Sequence, residues 1–86
     1  RMAVYRTEKG FEVDLIVSHG SRVRPIEIKS AMTFNGKLVT NLQKYADDDP
    51  LAENPLLVYD GDAVESFGPQ GVSAVNFRYL FEKLRG

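Results

Sequence analysis

Two stretches of this chain alternate apolar and polar residues with a period of two. In Gly10-Phe11-Glu12-Val13-Asp14-Leu15-Ile16-Val17, strand geometry puts Val13, Leu15 and Val17 on one face and Glu12 and Asp14 on the other. In Pro25-Ile26-Glu27-Ile28-Lys29-Ser30, Ile26 and Ile28 point one way and Glu27 and Lys29 the other. The pattern predicts strands over Phe11–Ser18 and Arg22–Lys29. A short strand at Ala3–Thr7 and a turn at Glu8-Lys9-Gly10 precede them, so the first third reads as an antiparallel meander. After a connector at Ala31–Gly36, with Asn35 as a helix cap, the period changes. Leu38, Leu42, Tyr45 and Ala46 follow the i, i+4, i+7, i+8 stripe of an amphipathic helix over Lys37–Asp47. Asp47-Asp48-Asp49-Pro50 ends it, because proline disfavours helical geometry in the residue before it.

Pro55-Leu56-Leu57-Val58-Tyr59 is almost wholly apolar, as in a strand buried on both faces, and Asp60-Gly61-Asp62 closes it with a turn. A passage from strand through helix to strand requires a right-handed crossover and parallel pairing. A fifth strand is expected at Val72–Phe77, and a terminal helix at Arg78–Leu84 on Leu80, Phe81 and Leu84. The fold class is therefore mixed α/β, in the order β-β-β-α-β, with a four- to five-stranded sheet covered by helix.

Apolar faces meet in the core, so Glu12, Asp14, Glu27 and Lys29 are expected to emerge together on the opposite face of the hairpin. Two registers keep the faces matched. A four-residue loop pairs Asp14 with Glu27 and Glu12 with Lys29. A two-residue loop at His19-Gly20 pairs Glu12 with Glu27 and leaves Asp14 one diagonal away. Either brings at least two carboxylates within about 4.5–8 Å of each other. Like charges so placed are destabilising unless a divalent cation bridges them. The competing reading is a solvated hairpin face, with Glu12 or Glu27 simply paired to Lys29.

Composition narrows the chemistry. The chain has 86 residues, one small domain near the lower end of what buries a sufficient core unaided. Without cysteine there is no disulfide, thiolate nucleophile or cysteine zinc site. No apolar run approaches the ~20 residues of a membrane span and no signal-peptide pattern opens the chain, so a cytoplasmic protein with no membrane partner is expected. The net charge of −1 hides a partition: +4 over residues 1–46, −7 over 47–65 and +2 over 66–86. The candidate site lies in the basic part, where a polyanion is attracted, although a dedicated nucleic-acid module is usually far more basic.

His19 has no second histidine to share a metal, and the Asp47–Asp49 run lacks the glycine and distal glutamate of a calcium loop. Lys37, Asn41 and Lys44 recur on the exposed face of the helix, where phosphates could be met. Small size and exposed sheet edges allow a homodimer.

An Asp on one strand followed on the next by Glu-x-Lys in an apolar run resembles the PD-(D/E)xK, or restriction endonuclease-like, nuclease superfamily. Gly10-x-Glu12-Val13-Asp14-Leu15-Ile16-Val17 followed by Ile26-Glu27-Ile28-Lys29-Ser30-Ala31-Met32-Thr33 is most similar to one branch, the domain at the C-terminus of prokaryotic AAA-type ATPases. The resemblance covers residues 3–60 well and the remainder loosely. It implies a single nuclease-like domain over residues 1–86, a C-terminal piece of a longer ATPase, in keeping with a chain that begins at Arg1.

The resemblance further implies hydrolysis of phosphodiester bonds, in DNA, with Mg2+ or Mn2+ as cofactor. Asp14 and Glu27 become the metal ligands with the backbone carbonyl of Ile28, and Lys29 the residue that orients water or stabilises the phosphoryl oxygens. Glu12 is a further ligand, a supporting partner or an ion-pair partner of Lys29. Gln43 is a weaker candidate, because several branches carry a Gln/Tyr motif on the following helix, whereas Tyr45 fits the core stripe. The superfamily core has one more helix before its first strand, often with another acidic ligand, and this sequence lacks it. The alternative function is a nuclease fold without turnover, kept for binding nucleic acid or protein and for assembly.

Overall fold

The structure, a computed structural model, describes the backbone of residues 2–5 and all of residues 13–79. Six strands form one mixed sheet: β1 (Met2–Tyr5), β2 (Leu15–His19), β3 (Arg22–Ile28), β4 (Leu56–Tyr59), β5 (Val64–Phe67) and β6 (Val72–Asn76). Their spatial order is β1-β2-β3-β4-β6-β5. Between β3 and β4 a 3-10 turn (Gly36–Val39) leads into helix α1 (Thr40–Asp48), and a second 3-10 turn (Phe77–Tyr79) follows β6. The mixed α/β class and the order of its first elements agree with the sequence pattern.

The sheet has more strands than the four or five expected, and β5 is the addition. It is short, its pairing with β6 is irregular, and Ser66 within it has φ 61°. Such a strand has no apolar–polar alternation to reveal it. Of the expected terminal helix, Arg78 and Tyr79 lie in the 3-10 turn and the rest falls outside the described residues.

The meander forms as the alternation requires, with β2 antiparallel to both β1 and β3. The β2–β3 register runs from Leu15↔Ile26 to His19↔Arg22. Carried one step further, it sets Asp14 opposite Glu27. This is the register expected of the longer loop, reached here with a tighter turn of only Gly20 and Ser21. Gly20 makes that turn possible at φ 63°, a conformation that side chains rarely adopt. β3, β4 and β6 then run parallel, with Ile26↔Leu56 and Leu56↔Ser73 in register.

Two apolar layers flank the sheet. On the α1 side, Val39 and Leu42 pack with Ile16, Leu57, Tyr59 and Val72; on the other, Val17, Ile26, Leu56, Val58 and Val75 meet. β4 supplies alternate residues to both layers and is buried throughout, so its sequence is one unbroken apolar run. Val13 departs from expectation. It stands ahead of β2, outside the ladder, and packs with Ile16 on the helix side rather than with Leu15 and Val17. Strand alternation does not extend through the bend at Asp14.

A second correction concerns the polar face of the hairpin. Glu27 is in register with Leu57, whose side chain belongs to the α1 layer, so Glu27 points under the helix instead of into water. It is only 3% exposed. Asn35 does cap, its side chain accepting the Lys37 N–H at 2.9 Å, but it opens the 3-10 turn, and α1 begins only at Thr40. At the far end Asp49 stops the helix. Its Oδ1 accepts the Leu51 N–H and its Oδ2 the Tyr45 hydroxyl, each at 2.9 Å. Among the described residues no helix is long and apolar enough to cross a membrane.

Candidate functional site

Glu27 and Lys29, two positions apart on one strand, project from the same face. The Lys29 Nζ lies 3.2 Å from Glu27 Oε2, with the lysine side chain 38% exposed and the glutamate side chain 4%. The pair therefore spans the boundary of the core, the carboxylate inside and the ammonium at the water. Burial is the main force raising the Glu27 pKa above its ordinary value, and the like charge of Asp14 adds to it; Lys29 opposes the rise. The Asn41 amide in the first turn of α1 also favours the charged form, but Oε1 meets no hydrogen-bond partner of normal geometry among the described residues. A buried carboxylate oxygen with empty lone pairs is costly and uncommon.

Asp14 sits just ahead of β2, at the end of the sheet where β3 finishes, and is exposed. Its Oδ2 accepts the Ile28 N–H at 2.8 Å. In a strand, the N–H and C=O of one residue leave by the same edge, and the next residue uses the other. The Lys29 N–H accordingly turns to Val58 O at 2.9 Å, and the Ile28 carbonyl shares the edge that faces Asp14. Three kinds of hard oxygen donor thus come from neighbouring backbone: the Asp14 carboxylate, Glu27 Oε1 and the Ile28 carbonyl. Such donors suit Mg2+ or Mn2+, which needs only one or two carboxylates with water and phosphate for the rest. Among the described residues no three His, Asp or Glu side chains converge, and Glu12 lies outside them.

The remaining candidates separate. Gln43 turns to the β5–β6 hairpin, where a side chain added at Gly68 would come within 2.7 Å of its Nε2. Positions 41 and 43 are roughly 200° apart around a helix, so the residue beside Glu27 is Asn41 and not Gln43. Sequence reasoning placed Asn41 only in a surface stripe; the signal that could have found it is its spacing of four from Tyr45, which packs against the core. Lys37, in the 3-10 turn, and Lys44, on α1, are both exposed. Tyr45 packs against the core as its place in the apolar stripe implies, with its hydroxyl on Asp49. His19 is exposed at the far end of β2, away from Asp14.

The molecule is thus a mixed α/β domain whose parallel strands end beside a half-satisfied carboxylate, a lysine and an exposed aspartate. The chain belongs to the family described as a domain of unknown function, DUF4143, which matches residues 1–80. No curated protein and no solved structure matches it.

Proposed function

We propose that this domain is a restriction endonuclease-like, metal-dependent phosphodiesterase acting on DNA, carried at the C-terminus of an AAA-type ATPase. The observation that supports it most is Oε1 of Glu27, buried beside Lys29, in the field of Asp14 and without a hydrogen-bond partner among the described residues. A carboxylate kept only for stability would have its lone pairs satisfied. Asp14, Glu27 and the Ile28 carbonyl would hold Mg2+ or Mn2+, which when bound supplies Lewis-acid polarisation of the phosphate and activation of water. Lys29, anchored by Glu27 yet open to water, places a positive charge where the phosphoryl oxygens become more negative. Asn41 holds the Glu27 carboxylate from the helix side.

The test is cleavage of supercoiled, linear and branched DNA by the full-length protein with Mg2+ or Mn2+, alongside Asp14→Ala. Cleavage is expected to vanish in the variant, and equal residual cleavage rejects the site. A second reading has its own support. Asp14 Oδ2 is already engaged by the Ile28 N–H, and the net charge of −1 gives little attraction for a polyanion. On that reading the fold serves binding or assembly without turnover. Calorimetry with Mn2+ separates the two, since a module without turnover has no saturable metal site to fill.

A further inference from the structure

The carboxyl ends of parallel strands in an open α/β sheet are where ligands most often bind, because the loops there diverge and leave a crevice. Beyond the ends of β4 and β6 such a crevice is present, with a volume of about 330 Å³. Gly61, Asp62 and Ala63 form one wall, and Asn76, Arg78 and Tyr79 the other. Its size is at the small end of the range for ligand sites, roughly 300–1,000 Å³, so it holds one compact unit.

The walls are tied together. Asn76 Nδ2 donates to the Gly61 carbonyl at 3.3 Å, and Asn76 Oδ1 accepts the Arg78 N–H at 3.2 Å. The Tyr59 hydroxyl donates to the Asp62 carbonyl at 2.5 Å. These bonds fix both loops before any ligand arrives. What they leave open is chemically specific. Among the described residues the Arg78 guanidinium makes no ion pair, although Asp62 lines the same crevice. Tyr79 is 49% exposed, and its neighbour Phe77 60%. A guanidinium and an open aromatic face suit a phosphate joined to a flat ring, and the Asp62 carboxylate suits a ring that carries N–H donors. A bare inorganic anion would meet Asp62 as a repulsion.

We propose that this crevice is a nucleotide-binding subsite, with the phosphate on Arg78, the base stacked on Tyr79 and an amino-bearing base edge on Asp62. Its position extends the function proposed above and rests on it only for that role. β6 lies two strand spacings, roughly 10 Å, from β3, and all three parallel strands end on the same side as Asp14 and Lys29. Between the two places runs the loop after β3, where the Met32 carbonyl packs against Gly61 and the Met32 side chain stands 78% exposed. A strand whose scissile phosphate is at Lys29 would pass Met32 and set a neighbouring nucleotide in the crevice.

The experiment measures anisotropy of a fluorescein-labelled single-stranded oligonucleotide with the full-length protein in chelator, so that cleavage does not intervene. AMP is titrated in parallel as the free-nucleotide arm. Tyr79→Ala and Arg78→Ala are expected to weaken binding about five- to a hundredfold, with Tyr79→Phe and Arg22→Ala near wild type. Binding of AMP with the same sensitivity to Tyr79→Ala, but none of the oligonucleotide, also supports the subsite and assigns it a free nucleotide. Wild-type affinity in both alanine variants, or no binding of either probe, overturns the proposal. An oligonucleotide carrying 5-iododeoxycytidine, whose base keeps its amino group, crosslinked to the wild-type protein supplies a readout independent of variant folding. Attachment within residues 76–79 supports the subsite, and attachment only elsewhere overturns it. If Asp14→Asn leaves cleavage intact while Tyr79→Ala weakens binding, the metal site assigned to Asp14 fails and the crevice stands. If the wild-type protein cleaves no DNA with Mg2+ or Mn2+ yet Tyr79→Ala weakens binding, the phosphodiesterase reading fails and the crevice stands.

Discussion

Asp14 extends the β2–β3 ladder by a side chain: its Oδ2 accepts the Ile28 N–H at 2.8 Å where a backbone carbonyl would otherwise stand. The same carboxylate is thereby fixed in orientation at the mouth of the candidate site. Asparagine can keep that hydrogen bond through its own carbonyl oxygen while losing the charge. Asp14→Asn is therefore expected to stay within about 1 kcal/mol of the parent in thermal or urea denaturation, yet to lose DNA cleavage. Full cleavage by a folded Asn variant would remove Asp14 from the metal-binding role.

The Glu27 pKa is raised, so the folded state holds its proton more tightly than the unfolded chain does. The stability this contributes is complete below the unfolded value and is lost as pH rises through the higher folded value. Glu27→Gln removes the titration and the buried charge, while Lys29, which is 38% exposed, can return to water. At neutral pH the variant is expected to be as stable as the parent or more so, by about 1 kcal/mol, and inactive in cleavage. Urea denaturation across pH 4–8, flattened in the variant, checks the assignment. A large loss of stability would instead mark Glu27 as a structural residue.

Gly61 is enclosed without being strained. A methyl group there would lie 2.5 Å from the Met32 carbonyl oxygen and 2.7 Å from the Tyr59 ring. One obstacle is backbone and the other a fully packed aromatic, so neither yields cheaply. Gly61→Ala is expected to cost about 1–3 kcal/mol, read as a lower melting temperature. It should also disturb the crevice wall, weakening oligonucleotide binding alongside stability.

Tyr45 donates to Asp49 Oδ2 at 2.9 Å, and burial first, then this carboxylate, pushes its pKa up to about 12. The stability it contributes is present below the ordinary tyrosine value, near 10, and is lost as pH rises through about 12. Ultraviolet titration of the folded protein should show a tyrosine ionising late, absent in Tyr45→Phe. That variant loses one hydrogen bond and is expected to be about 1 kcal/mol less stable.

β4 was legible as an unbroken apolar run and β3 from the alternation at Ile26-Glu27-Ile28, although that alternation changes phase at Pro25 and Ile28, expected in the core, is 46% exposed. The helix was legible from Leu38, Leu42 and Tyr45, but its 3-10 entry was not, since a side-chain cap on Lys37 serves either turn equally. β5 was illegible because its residues Val64, Glu65, Ser66 and Phe67 obey no period and its pairing depends on β6. Within the candidate site, Glu27 and Lys29 could be placed together from their spacing alone. The partnership of Glu27 with Asn41 could not, since it depends on how α1 lies across the sheet.

Local sequence alone determined which residues share a strand face and where the chain must turn, for those follow from backbone geometry a few residues long. It therefore carried the mixed α/β class, the convergence of Glu27 with Lys29, and a choice of two hairpin registers, of which the structure selects the one that sets Asp14 against Glu27. Only the tertiary structure decided that Glu27 lies under α1, with one of its oxygens buried and without a partner among the described residues, and that Asn76 and Arg78 close a crevice with Gly61. Burial and loop-to-loop closure depend on how distant segments pack, and no local pattern encodes that.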